Sequence, residues 1–159
     1  MAEQPSVSCA PRVYILSKLD AAVNHLDWAI RLIVDHGAYD VAITVAGAAE
    51  EVLGKAVAGK PVAKRLNERF QEATGLSEKA IADDHLNRVR NWLKHNGPGS
   101  PQTLEAELEV EAVAMVARCL VNLVALDNSL PSESARFRAW LRTHMPHLPS
   151  DWASTGTTA

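Results

Sequence analysis

Apolar side chains recur along this chain at steps of three and four residues, and glycine or proline closes each block. That is the period of a helix burying one face, and it leaves little room for strands. Ile15, Leu19, Val23, Leu26, Ile30 and Ile33 predict a first helix over residues 12–36, stopped by Gly37. Asp40 is placed to cap a second, over 41–58, which contains the small-residue run Ala46-Gly47-Ala48-Ala49. Such a run lets a neighbouring helix come close. Gly59-Lys60-Pro61 separates it from a third helix, 62–73, expected to be anchored by Leu66 and Phe70. Gly75 breaks the chain again, and Ser77 is the expected N-cap of a fourth helix ending at His95.

Asn96-Gly97-Pro98-Gly99-Ser100-Pro101 is the strongest breaker in the sequence. Beyond it a fifth helix is expected over 103–128, with Leu104, Leu108, Ala112, Met115, Cys119 and Leu123 on one stripe. Pro131 and Ser132 introduce a short last helix over 133–144. No internal repeat is visible. The expected fold is all-α, a five- to six-helix up-and-down bundle over residues 12–145, between a disordered leader (1–11) and a flexible tail (146–159). Trp28 and Trp92 are expected in the core or its seam, and Trp140 and Trp152 as caps or contact residues.

Length and charge narrow the function classes. At 159 residues the chain suits one domain, and 47% hydrophobic residues are too many for a disordered polymer. Apolar stretches are interrupted by charge well before the roughly 18 residues a membrane span needs, so no membrane partner is expected. The opening Met-Ala-Glu-Gln-Pro-Ser lacks a basic and then apolar signal pattern. With only Cys9 and Cys119 far apart, a disulfide framework is not expected, and the cytoplasm is the expected location. Net charge is −3, which argues against bulk attraction to nucleic acid. Residues 55–95 nevertheless carry nine basic against five acidic side chains, net +4. Helices three and four therefore hold the only stretch able to present a basic face to an anion.

The fourth helix ends in Arg88-Val89-Arg90-Asn91-Trp92-Leu93-Lys94-His95. On a regular helix Asp84, Arg88, Asn91 and His95 share one stripe. Arg90, Asn91, Lys94 and His95 crowd into the last turn. Guanidinium offers forked donors to phosphate oxygens, and imidazole exchanges protons near neutral pH. Arg90-Asn91-x-x-x-His95 resembles the Arg-polar-x-x-x-His signature of the HEPN superfamily, small helical bundles frequent in bacterial toxin–antitoxin and defence systems. Leu19-Asp20-Ala21-Ala22 and Ala46-Gly47-Ala48-Ala49-Glu50-Glu51 add to the likeness, which spans residues 12–128 and points to a largely uncharacterised bacterial group.

The resemblance implies a homodimer with facing motifs, RNA as substrate and cleavage without a metal or other cofactor. It implies catalytic roles for Arg90, Asn91 and His95; by their charge and position Lys94, Arg88 and Glu51 are the candidates for binding or orientation. His95 would be the general acid or base, Arg90 would stabilise transition-state charge, and Asn91 would orient one of them. On an ideal helix Arg90 and His95 lie about 140° apart, so they converge only through a distorted turn or a partner's copies. The family's partners include antitoxins and nucleotidyltransferases. Some members carry a tyrosine, modified by the latter, where this chain has Gly97.

Other readings stand beside this one. Glu50 and Glu51 lie in an otherwise apolar helix, so at least one is near the core, either in an ion pair with helix four or orienting Arg90 or His95. A metal site has poor material, because Asp84-His85 and His144-x-x-His147 are the nearest ligand pairs and no Glu-x-x-His is present. No phosphate-binding glycine loop or Gly-x-Ser-x-Gly elbow occurs, and Cys119 on an apolar stripe is a poor nucleophile. The non-enzymatic alternative is a helical dimerisation, interaction or nucleotide-binding module in which the motif residues are structural.

Overall fold

The computed structural model describes residues 13–95 and 99–147. The leader expected over 1–11, with Cys9, and the end of the tail, with Trp152, lie outside the described residues. The described chain is all helical, with α1 (Lys18–His36), α2 (Tyr39–Ala56), α3 (Val62–Thr74), α4 (Glu78–Ile81), a π turn (Ala82–Leu86), α5 (Arg88–Lys94), α6 (Leu108–Ala125) and α7 (Ser134–His144). Among the described residues there is no strand. None of these helices is long and apolar enough to cross a membrane.

The core is the interface of α1, α2 and α6. Leu26, Ile30 and Ile33 of α1 meet Ile43, Ala46 and Leu53 of α2 and Val116, Cys119 and Leu123 of α6, all buried. Each larger aliphatic side chain removed from water contributes about 1.5–3 kcal/mol. Gly37 turns α1 into α2 as expected. Its left-handed φ of 59° lets its N–H reach the Ile33 carbonyl at 3.2 Å while the Ala38 N–H reaches Leu32 at 3.0 Å. The short link folds α2 back beside α1.

Several helix limits differ from the sequence reading. α1 begins at Lys18 because the Ser17 hydroxyl accepts the Asp20 N–H at 3.0 Å, and an N-cap halts the helix behind it. Ile15 therefore stands outside the stripe and fully exposed. α2 starts at Tyr39 over an Ala38 cap without a side-chain bond, which leaves Asp40 in the first turn. Phe70 is exposed on α3, and Trp28 is half exposed on α1 with the Arg31 guanidinium 5.1 Å above its ring. Trp140 stacks between Phe137 and His144 on α7, whose Phe137 and Leu141 enter the core. Outside that contact, Arg31 pairs with Glu133 and Arg136 with Asp35, tying α7 to α1.

Among the described residues there are seven α-helices, more than the expected five to six, because the fourth helix is broken. The Asn87 N–H reaches back five residues to Ala82, at 2.9 Å, and Asn87 itself leaves helical geometry at φ −127°, ψ 11°. Arg118 of α6 supports the break. Its guanidinium donates to the Leu86 carbonyl at 3.2 Å and to Asn87 Oδ1 at 3.3 Å, groups a continuous helix would leave elsewhere. α3 is held by a second polar residue of the same helix. Fully buried Asn122 accepts the Val62 N–H through Oδ1 at 3.1 Å, satisfying a donor that a helix start otherwise lacks a partner for. Asn122→Ala is expected to cost about 1–3 kcal/mol, because the Val62 N–H loses its acceptor inside the protein. Urea unfolding followed by circular dichroism checks it, and an unchanged midpoint contradicts this role.

Candidate functional site

The end of α5 carries most of the polar residues singled out by sequence, and the fold sends them in two directions. Arg90 turns inward to α2. Gly47 makes room for it, since a Cβ there would lie 2.8 Å from Arg90 Nε and 2.9 Å from its Cδ. In that space the guanidinium meets two carboxylates, with Nη2 donating to Glu51 Oε2 at 3.1 Å and Nη1 3.6 Å from Glu50 Oε2. Its side chain is only 15% exposed and that of Glu50 8%, so this pair is held largely away from water. Breaking such a pair by removing one partner leaves a buried charge uncompensated.

Glu51 lies at the solvent edge, where it collects cations. Lys55 Nζ is 2.8 Å from Oε1, and Lys94 Nζ is 3.8 Å from Oε2. The Lys55 hydrogen bond, with the charges of Lys55, Lys94 and Arg90, holds the Glu51 carboxyl below its ordinary range. The acids thus form the ion pairs with helix four that one reading of them expects, and Glu51 is hydrogen-bonded to Arg90. Glu51 and Lys94 form the exposed edge of this cluster, and neither lines the depression that His95 faces.

Asn91 and His95 face an open depression of about 820 Å³ with Arg88, Trp92 and Asp83, closed on one side by Gly99, Ser100, Pro101 and Leu104. Trp92 fixes that wall by donating its indole N–H to the Pro101 carbonyl at 2.7 Å. The π turn inserts one residue into the helical register, so Asp83, rather than the expected Asp84, joins Arg88, Asn91 and His95. Asp83 is itself ion-paired to Lys79. His95 ends α5 in extended geometry, with its N–H on the Asn91 carbonyl at 2.9 Å. Among the described residues, no hydrogen bond joins Arg90 to Asn91 or His95 within one chain. The depression therefore offers an imidazole, an amide and an exposed guanidinium to a polar ligand, while the motif arginine is bound to α2.

Two polar residues of α6 went unnoticed in the sequence reading, Arg118 and Asn122. Their signal was available as two polar side chains inside the apolar run Val113–Leu123. Cys119 is buried and its thiol donates to the Ala46 carbonyl at 3.4 Å, and burial pushes its ionisation far up. A thiol so buried is a poor nucleophile. Among the described residues no three His, Cys, Asp or Glu side chains are grouped to hold a metal ion. Comparison with models of protein families, with characterised proteins and with solved structures finds no match.

The fit of Arg90 over Gly47 makes their substitutions interdependent. Gly47→Ala alone is expected to lower stability by about 1–3 kcal/mol through overpacking. In an Arg90→Ala background the same change is expected to stabilise by about 0.5–1 kcal/mol, because alanine favours the helix. Equal effects in the two backgrounds, measured by denaturant unfolding, would contradict the close approach. The Glu51 contribution also has a sign in pH. A carboxyl whose folded-state value is lowered adds stability above its ordinary 4.5 and loses it as the solution is acidified below that. Unfolding midpoints of wild type and Glu51→Gln are expected to differ near neutrality and to converge in acid.

Proposed function

We propose that this protein is a HEPN-like up-and-down helical bundle that cleaves RNA without a metal, at a composite site formed across a homodimer. The observation that carries the reading is the common opening of Asn91, His95 and Arg88 onto one depression at the end of α5, beside the Arg90–Glu51–Lys94 cluster. In this reading the ribose 2′-oxygen attacks the adjacent phosphorus as a histidine takes its proton. The 5′-oxygen leaves as a second histidine returns a proton. One chain supplies a single His95, so facing copies provide the base and the acid. Arg88 and Lys94 bind phosphate oxygens, Asn91 orients the reacting group, and Arg90 stabilises the negative charge that the phosphoryl oxygens carry in the phosphorane-like transition state. Antitoxin or nucleotidyltransferase partners, a defence role and a bacterial cytoplasmic setting belong to the same proposal.

A specific contact favours a second reading, a non-catalytic dimerisation or interaction module. Arg90 is engaged by Glu50 and Glu51 in its own chain, the behaviour of a structural residue.

Cleavage of several RNAs in EDTA by wild type, His95→Ala, Asn91→Ala and Arg90→Lys separates the two. The nuclease reading expects wild-type cleavage and a fall of about 100-fold or more in His95→Ala, with the helical circular dichroism spectrum retained. Equal rates for wild type and His95→Ala contradict it. A wild type inert on all substrates favours the module.

A further inference from the structure

Two apolar features of the described chain have no counterpart in the site above. The first is the segment before α1. Val13, Tyr14, Ile15 and Leu16 run without helix, turn or bend and are all exposed, Ile15 completely. Four large apolar residues in a row standing in water is an arrangement proteins ordinarily avoid or use for contact. The second is a groove between α3, the π turn and α6, about 370 Å³ in volume, walled by Val62, Leu66, Leu86, Val110, Ala114 and Val121. That volume is within the ~300–1,000 Å³ typical of ligand pockets. Val110 and Val121 are half exposed there, so the groove is also unfilled apolar surface.

Charge matches the two. Glu111 stands in the groove wall, and its burial pushes its carboxyl upward against the pull of Arg118 and Arg88. Among the described residues neither Glu111 nor Lys18 has an ion-pair partner. Lys18 follows the apolar segment directly after Ser17, and Arg12 precedes it in sequence. The segment is thus flanked in sequence by two cations, and the groove wall holds, together with Arg118, an acid that has no ion-pair partner among the described residues.

We infer that the segment Val13–Leu16 of one copy docks in the α3/π-turn/α6 groove of a second copy, and that the exchange is reciprocal. Laid down as an extended strand, the four residues span about 13 Å and alternate in direction, so Val13 and Ile15 enter the groove while Tyr14 and Leu16 face outward. Reciprocity makes the contact a closed two-fold dimer, not an open fibre. The inference rests on the homodimer of the proposed function and names the contact that holds it. The groove shares the π turn with the depression of Asn91 and His95, since His85 and Leu86 line one and Asp83 the other.

Light scattering and disulfide trapping on the full chain test it. Wild type is expected to be a dimer, and Val13→Asp/Ile15→Asp to weaken dimerisation by at least ~100-fold while keeping its helical spectrum. In a Cys9→Ser background, where buried Cys119 does not react, an Ile15→Cys/Ala114→Cys double variant is expected to give a disulfide-linked dimer under mild oxidation. An arm variant that stays dimeric overturns the arm contact and leaves the homodimer standing. A disulfide confined to one chain also overturns it, because the segment then folds onto its own groove. A wild-type monomer overturns the homodimer and the arm contact together.

Discussion

The approach of Arg90 to the backbone of α2 at Gly47 is the constraint around which the polar end of the molecule is organised. Any larger residue at that position would collide with the arginine side chain. With glycine there, the guanidinium reaches the carboxylates on the next turn of α2, one buried and one at the edge. A charge this far from water is tolerable only when it is paired, so α5 must stay where Arg90 meets Glu50. The orientation of α5 then determines which side chains face the depression, Arg88, Asn91 and His95, while Lys94 stays exposed beside Glu51.

A second arginine makes that placement feasible. α5 could not leave the line of α4 without freeing backbone carbonyls, and Arg118 supplies donors for the one at Leu86. The break shifts the register by a residue and turns an uninterrupted helix into two short ones joined by a π turn. Arg118 thus acts on the candidate site at one remove, through backbone geometry. Its neighbour Asn122 does a comparable task for α3, whose position forms one wall of the apolar groove. α6 is therefore more than a core helix: its apolar residues bind α1 and α2, and its two buried polar residues arrange what lies outside them.

Much of the fold was legible in the sequence. The helical period placed α1, α2, α3, α6 and α7, and the caps at Gly37, Gly75 and Ser77 acted as their residue types suggest. The errors have common causes. Ser17 outcompeted the apolar stripe that Ile15 seemed to extend, because a side-chain cap ends a helix however well the next residues fit. Phe70 and Trp28 lie on helices whose covered face is narrower than their hydrophobicity implied. Of the site, the cluster at the end of helix four was legible. Its division into an inward arginine and an outward amide and imidazole was not, because that depends on what the neighbouring helix presents.

Local sequence was enough to establish the helical character of the described chain, its main breaks, its basic middle and the crowding of Arg90, Asn91, Lys94 and His95 before a glycine-proline segment. Those features follow from side chains within a few residues of one another, the range over which caps and helical faces operate. Long-range packing sends Arg90 across to Glu50 and Glu51, breaks helix four at Asn87 and puts Asp83 in place of Asp84 beside Arg88, Asn91 and His95. Each of these depends on a partner far away along the chain, such as Gly47 or Arg118, and burial makes its geometry decisive. In water an arginine is solvated in any direction, whereas inside a protein it must point to the acceptors the fold provides.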